Sequence, residues 1–349
     1  MLYKAFFHTV LRRVDPETAH VLTMKFMSIA SHIPGMLGLV RMCFARGVGS
    51  DEGAWVFPQE DIAGFARPLP GRFGLAAGLD KDGEAIEMLS ALGFAFVEVG
   101  TVTPKPQPGN DKPRLWRLVS QRALRNRMGF NNSGADVLAG RLKHLRSTSR
   151  GRSIIVGANI GKNKTTPLEV APRDYGICAR KLARWVDYLV INVSSPNTPG
   201  LRTLQDTSSL QPIVKAVQHQ AHLAAKRRVP IFVKIAPDMA DHDLRQIASL
   251  VHDTGIDGVI ATNTTIDHDE GEGGLSGKPL NERSRQIVTT MRRYLGDGPI
   301  IIGCGGVTTP GDAQRMRDAG ANLVQGYSAF IYEGPSWPGT INRHLTPRG

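Results

Sequence analysis

Residues 191–202 read INVSSPNTPGLR, an apolar strand that gives way within one residue to hydrogen-bonding side chains. Tyr188 to Val193 reads as a buried strand, and Asn192, Ser194, Ser195 and Asn197 stand at its carboxyl end, framed by Pro196, Pro199 and Gly200. In a parallel α/β sheet or barrel the carboxyl ends of the strands carry the ligand, so polar groups there can reach a bound molecule. Taken alone, the stretch is also what a turn looks like, because Asn, Ser and Pro are ordinary turn formers. The other strand ends decide between the two.

Apolar, β-rich runs recur at Phe73–Ala77, Phe96–Gly100, Ile154–Asn159, Tyr188–Val193, Ile231–Ile235, Gly258–Thr262, Ile300–Gly303 and Asn322–Gln325. Helical patterns separate most of them, among them Gly83–Leu92, Pro172–Trp185, Leu210–Ala225, His242–Thr254, Asn281–Leu295 and Pro310–Ala319. Eight alternating units predict a (β/α)8 TIM barrel. A doubly wound open sheet is the alternative, but no strand is followed directly by GxGxxG. The segment from Thr101 to Ser153 is too long for one connection, and its Pro-rich start predicts an inserted hairpin near the barrel mouth.

The strand ends converge on one kind of chemistry. The first ends in Ala77, Gly78, Leu79, Asp80 and Lys81, small residues and a cation; the second ends at Thr101, the third at Asn159 and the sixth at Thr262, Asn263 and Thr264. Lys234 lies within an apolar strand, VKIA, where an unpaired ammonium costs several kcal/mol, so it is expected to face an anion. Glycine turns after the seventh and eighth strands, around Gly306 and at Gly326-Tyr327-Ser328, stand where barrels commonly hold phosphate, and Gly277 adds another close backbone approach. These residues fit a flavin mononucleotide or a sugar phosphate. Asn126, Asn192, Asn197 and Asn263 pair donors with acceptors, as a cyclic amide substrate requires. None of the 10 histidines, His20 included, is placed to act as a base; all fall on helices, linkers or tails.

Composition bounds the rest. With 349 residues, 41% hydrophobic, the chain holds one large α/β domain and a small appendage. A net charge of +12 favours an anionic partner, while 6% aromatics and no long basic run argue against nucleic acid. Cys43, Cys178 and Cys304 lack metal spacing, so no metal is expected, and a reducing compartment is. No run approaches the ~20 apolar residues of a membrane span.

Residues 1–46 carry an amphipathic helical stripe, Leu2, Phe6, Val10 and Val14, then Leu22, Phe26, Ile29 and Ile33 after the Asp15-Pro16-Glu17 start signal. A third apolar cluster follows Pro34-Gly35. This N-terminal microdomain is readable as a hairpin folded on the barrel, as a membrane-surface anchor, or as both. Residues 47–71 read as a linker, and 72–349 as the barrel domain.

The motifs AAGLDKDGE (76–84), VGTVTPKPQPGNDKPRL (99–115), NRMGFNN (126–132), NIGKNK (159–164), INVSSPNTPGLRTLQ (191–205), VKIAPD (233–238) and IATNTT (260–265) together resemble the class 2 dihydroorotate dehydrogenase family over nearly the whole chain. The resemblance implies an FMN-containing, membrane-associated monomer of pyrimidine biosynthesis at the cytoplasmic face of the inner membrane. It implies oxidation of dihydroorotate to orotate with a membrane quinone as final acceptor. By matching position, Ser195 is the base that removes the C5 proton, where class 1 relatives use cysteine. Substrate contacts are implied at Lys81, Asn126, Arg127, Met128, Gly129, Phe130, Asn192, Asn197, Asn263 and Thr264. FMN contacts are implied at Ala77, Gly78, Leu79, Asp80, Lys81, Thr101, Asn159, Asn192, Lys234, Thr262, Gly277, Gly306, Tyr327 and Ser328. Lys234 beside the flavin ring is implied to favour its anionic reduced form. The chain departs from the family pattern at Arg72-Phe73, in a longer stretch around Gly49–Asp61, in a shorter loop at Asp267–Gly273 and at Ala329. These departures bear on loop shape and quinone access. A flavin-free sugar-phosphate enzyme, or a non-catalytic peripheral membrane protein, are the competing readings.

Overall fold

The computed structural model of the chain describes residues 2–45, 65 and 67–345. Three helices come first, α1 (Leu2–Thr9), α2 (Pro16–Ser31) and α3 (Met36–Phe44). Asp15 starts α2: its carboxylate accepts the Thr18 N–H at 2.8 Å, and Pro16 takes the first helical position, where no N–H is needed.

The chain then runs β1 (Phe73–Leu75), α4 (Ile86–Ala91), β2 (Phe96–Val102), β3 (Leu115–Leu118), β4 (Ala123–Asn126), α5 (Ala135–Leu145), α6 (Ser149–Ser153) and β5 (Ile155–Ile160). Next come α7 (Ala171–Leu182), β6 (Tyr188–Asn192), α8 (Thr207–Ala225), β7 (Ile231–Ile235), α9 (Asp241–Thr254), β8 (Gly258–Ala261), β9 (Gly274–Gly277) and α10 (Asn281–Leu295). The chain closes with β10 (Ile300–Cys304), α11 (Pro310–Asp318), β11 (Leu323–Gly326), α12 (Ser328–Glu333) and α13 (Trp337–His344).

Eight strands close into a parallel barrel in the order β1-β11-β10-β8-β7-β6-β5-β2. They are the eight runs expected from the sequence, with ends displaced by no more than two residues. The registers set Gly100 opposite Asn159 and Asn192 opposite Lys234, which brings polar side chains to one level at the mouth.

Aromatic rings fill the opposite end. Tyr188 and Phe232 meet edge to face at 5.7 Å, with Phe96 beside Tyr188 and Phe65 beneath both. Glycine makes room for them: a Cβ on Gly157 would lie 2.1 Å from the Tyr188 ring, and one on Gly74 would lie 2.3 Å from Phe96. Phe65 and Leu69, assigned to the linker by sequence, belong to this plug. Residues 47–64 and 66 of that expected linker, including the Gly49–Asp61 departure, lie outside the described residues.

The expected hairpin is present as β3 and β4, antiparallel, with one addition. β9, from the connection after β8, pairs with β4 through Ala123 opposite Gly277 and Asn126 opposite Gly274, completing a three-stranded sheet. The segment Thr101–Ser153 also contains α5, which buries Leu138, Leu142 and Leu145, so the hairpin is a detour before an ordinary barrel helix.

The N-terminal helices have two apolar sides. Phe7, Met24, Met27, Ala30 and Leu37 are buried, the last four in one core with Met88 and Leu89 of α4. The stripe noted in the sequence faces outward: Leu22, Phe26 and Ile29 are 60%, 70% and 69% exposed, and Leu2, Phe6 and Ile33 are exposed as well. Among the described residues no single helix is long and apolar enough to cross a membrane; α2 and α3 reach that length only together, across a 116° bend.

Charge locks this unit to the hairpin. Glu17 of α2 is buried against Arg114, whose Nη2 lies 2.8 Å from Oε1, while Arg114 Nη1 donates to the carbonyls of Pro108 and Asn110. Arg117 Nη1 donates to the carbonyls of Leu11 and Val14. Removing one partner of such a buried pair costs about 3 kcal/mol or more, so Glu17→Gln is expected to raise hydrogen exchange in α2 ~100-fold. Exchange in the barrel strands should stay at its wild-type rate; equal acceleration of strands and α2 would show that the pair supports the whole fold.

Candidate active site

A cavity opens at the carboxyl ends of the barrel strands, roofed by the three-stranded sheet and by α2. Its wall includes Ala77, Gly78, Lys81, Thr101, Asn126, Met128, Gly129, Phe130, Asn192, Ser195, Asn197, Lys234, Thr262, Asn263, Thr264, Gly277, Gly306, Tyr327 and Ser328. The structure thus gathers most of the candidates named from sequence around one space.

Four candidates stand off that wall. Leu79 is packed in the core. Asp80 turns its carboxylate onto the N–H groups of Glu84 and Ala85, holding the turn before α4. Burial raises its pKa to about 6 against the pull of those two hydrogen bonds. Arg127 reaches outward to Glu272, 3.1 Å away. Asn159 lies one shell deeper, where it accepts hydrogen bonds from Thr101 Oγ1 at 2.5 Å and Asn192 Nδ2 at 2.9 Å and donates to Glu98 Oε1 at 2.8 Å. It positions two residues that do line the cavity.

The amides are tied to one another and to a neighbouring hydroxyl. Asn197 Nδ2 donates to Asn126 Oδ1 at 3.0 Å, and Asn263 Nδ2 donates to Ser194 Oγ at 3.0 Å. Each amide is thereby oriented with capacity left for a ligand. Ser195 Oγ accepts the Asn197 N–H at 3.3 Å, and among the described residues no histidine or carboxylate bonds to it. The segment after Ser195 is stapled by Arg202, which donates to the Ser194 carbonyl (3.1 Å), Asp238 (2.7 Å) and the Thr264 carbonyl (2.9 Å). One guanidinium therefore joins the ends of β6, β7 and β8.

Two cations face the cavity with no hydrogen bond or ion pair among the described residues. Lys234 is 5% exposed. Lys81 is half-buried, and desolvation, followed by the charge of Arg114, lowers its pKa to about 8, with Asp82 and Glu17 opposing. At the other end Gly305 (φ +120°) and Gly306 (φ +71°) turn their backbone in the left-handed region, and a Cβ on Gly306 would sit 2.3 Å from Asn281 Cα. Their N–H groups have no partner among the described residues. Free N–H groups in the turn after the seventh strand, and an unpaired ammonium from the fifth on the same cavity wall, suit a phosphate-bearing, electron-rich cofactor. Among the described residues no His, Cys, Asp and Glu cluster could hold a metal.

His20 corrects the sequence reading, which left it in a surface or packing role. It lies on the cavity wall beside Leu115 and Leu124. Burial and then the Lys81 charge hold its pKa down to about 4, with Glu17 opposing, so the imidazole is neutral at pH 7. No local signal marks it, because its place depends on α2 docking against a hairpin almost a hundred residues later. Ser276, Cys304 and Gly305 also line the wall, within the glycine-rich turns already noted.

A closed parallel barrel that gathers amides, a hydroxyl and two cations at one mouth defines a (β/α)8-barrel enzyme for an anionic ligand. Comparison with known proteins names the family: the chain belongs to the dihydroorotate dehydrogenases, whose family model matches residues 64–348. It is 47% identical to the dihydroorotate dehydrogenase (quinone) of Thermobifida fusca, over 98% of this chain and 91% of that one. Against the protein of the same name from Kocuria rhizophila, identity is 46%, covering 99% and 97%. Among solved structures, that of Eimeria tenella DHODH in complex with ferulenol superposes with a TM-score of 0.82 at 37% identity, covering 95% of this chain and 90% of that one.

Lys81 generates a pH prediction. Its ammonium is present below about pH 8 and is lost above it, so affinity for a carboxylate ligand should be flat below that pH and fall about tenfold per unit above it. Titration calorimetry with orotate measures this; a Lys81→Met variant that kept the same pH profile would assign the effect to another group.

Proposed function

We propose that this chain oxidises dihydroorotate to orotate and delivers the electrons to a quinone through FMN. The observation that carries the reading is Ser195 on a cavity wall that it shares with the hydrogen-bonded amides of Asn126 and Asn197 and with the cations Lys81 and Lys234. A serine at that position, where cysteine serves the soluble class, favours the quinone-dependent class.

In this reading FMN supplies, when bound, the two-electron acceptor. Lys234, Thr101, Thr262, Gly277, Gly306, Tyr327 and Ser328 hold it, the glycine turns taking the phosphate. Asn126, Asn192, Asn197 and Asn263 bind the alternating N–H and C=O groups of the substrate ring, and Lys81 meets its carboxylate. Ser195 Oγ receives the proton leaving C5. A hydroxyl is a poor base at its ordinary pKa, so it works desolvated, and at 7% exposure Ser195 meets that condition. Arg202 keeps the segment from Pro196 to Asp206 over the site, and that segment serves as the lid through which substrate enters.

The N-terminal helices deliver the quinone. Their inner side brings His20 to the cavity, and their outer side bears the exposed stripe, flanked by the exposed cations Arg12, Arg13, Lys25 and Arg41. That pattern suits a monomer lying on an anionic membrane surface at the cytoplasmic face, with a greasy passage from lipid to cofactor.

The purified protein should show a flavin spectrum that dihydroorotate bleaches without oxygen and a quinone analogue restores; a colourless or unresponsive protein would overturn the reading. Ser195→Ala should keep its flavin but be bleached ~10²- to 10⁴-fold more slowly. Replacing Leu22, Phe26 and Ile29 together by serine removes about 1.5–3 kcal/mol of apolar burial in lipid per residue, so vesicle binding should fall well over tenfold. Reduction of a small soluble dye should be unchanged, and unaltered vesicle binding would exclude this face as the membrane contact.

A further inference from the structure

One buried acid has no part in the chemistry above. Glu98 of β2 is fully buried inside the barrel, three residues before Thr101 of the cavity wall. Its carboxylate accepts from Asn159 Nδ2 at 2.8 Å and, more weakly, from Tyr188 Oη at 3.5 Å. The groups facing it from the other strands are Lys234 of β7, Gln325 of β11 and Cys304 of β10. Burial raises its proton affinity, and the Lys234 charge is the first influence pulling it back. Lys234 makes no direct ion pair among the described residues, and Glu98 is the carboxyl group on which its charge acts across the barrel.

Reduction of a bound flavin changes that balance, and the role of Glu98 therefore rests on the flavin reading of the site. Oxidation of dihydroorotate breaks the C6–H bond, whose hydrogen and electron pair pass to the flavin, and the C5–H bond, whose proton leaves by Ser195 to solvent. The site has then gained one negative charge above Lys234. One ammonium now faces two anions, and the one fully buried in the barrel, where burial already favours the protonated form, is the cheaper to neutralise. We propose that Glu98 takes up one proton from solvent each time the flavin is reduced and returns it on reoxidation, holding the net charge of the barrel interior constant. The sum closes over both halves of the reaction. The hydrogen and electron pair on the flavin, together with one proton, are what convert a quinone to a quinol.

Glu98 is a positioning residue in this scheme, acting on the flavin through Lys234. The test is an anaerobic redox titration of the flavin-loaded protein at a series of pH values. One proton per two electrons lowers the midpoint potential by about 30 mV per pH unit, since tenfold in the equilibrium constant of a two-electron couple is 29.6 mV, and two protons lower it by about 59 mV. The wild type should show a pH interval with the steeper slope, and isosteric Glu98→Gln the shallower slope throughout. Infrared difference spectra add an independent reading: reduction of the wild type should produce a protonated carboxylic acid band that shifts with ¹³C-glutamate labelling. That labelling experiment also serves if the variant fails to fold. A flavin that is bleached with no glutamic acid band, and with the same slope in both proteins, overturns the proposal. A protein that binds no flavin overturns the function beneath it instead.

Discussion

The hydrogen bonds joining Thr101, Asn159 and Asn192 are the constraint on which the mouth of the barrel depends. These side chains come from adjacent strands, β2, β5 and β6, and each is buried where an unpaired amide or hydroxyl costs several kcal/mol. They satisfy one another, and Asn159 passes its remaining donor down to Glu98. With the floor self-satisfied, Asn192 faces the cavity in a fixed orientation, and its backbone is held from behind by Tyr175 Oη at 2.8 Å. The same register that sets Asn192 opposite Lys234 brings the cation to the same level. Preorganisation here is a property of strand register, and the loops above add to it.

The legible parts of this chain are those whose signals are local. Each barrel strand is a short run rich in Val and Ile, bounded by a turn signal, and such runs name themselves whatever surrounds them. Most of the cavity wall was legible for the same reason: a strand position fixes where its end points, so Thr101, Lys234 and Thr262 could be placed from the sequence pattern. β9 was not. Its sequence, GLSG, has no alternation and little β propensity, and it is a strand because β4 offers it an edge. α5 was hidden in a segment dominated by its prolines and glycines, although Leu138, Leu142 and Leu145 have helical spacing. Asp80 and Arg127 carry charges that could have served a ligand, and only the fold reveals that one caps a turn and the other meets Glu272.

The N-terminal unit explains why its sequence supported two readings. An amphipathic helix ordinarily has one apolar side, and whichever surface covers it defines its role. Here α2 buries Met24, Met27 and Ala30 against the barrel and still exposes Leu22, Phe26 and Ile29. Docking and exposure coexist because the pair formed by Glu17 and Arg114 supplies part of what apolar area would otherwise have to provide. Arg117 adds to this by binding two carbonyls between α1 and α2, that of Val14 and that of Leu11, which also accepts the Val14 N–H.

The first helix is tied to nearly the last: Tyr3 Oη donates to the Ile331 carbonyl and Lys4 pairs with Glu333 at 3.0 Å. During synthesis at about 5–20 residues per second, the binding place for α1 emerges on the order of tens of seconds after α1 itself. For that interval the side of α1 that later meets α12 is open, to the ribosome surface, to chaperones or to a membrane. The order in which these elements leave the ribosome therefore places α1 well ahead of the element that holds it.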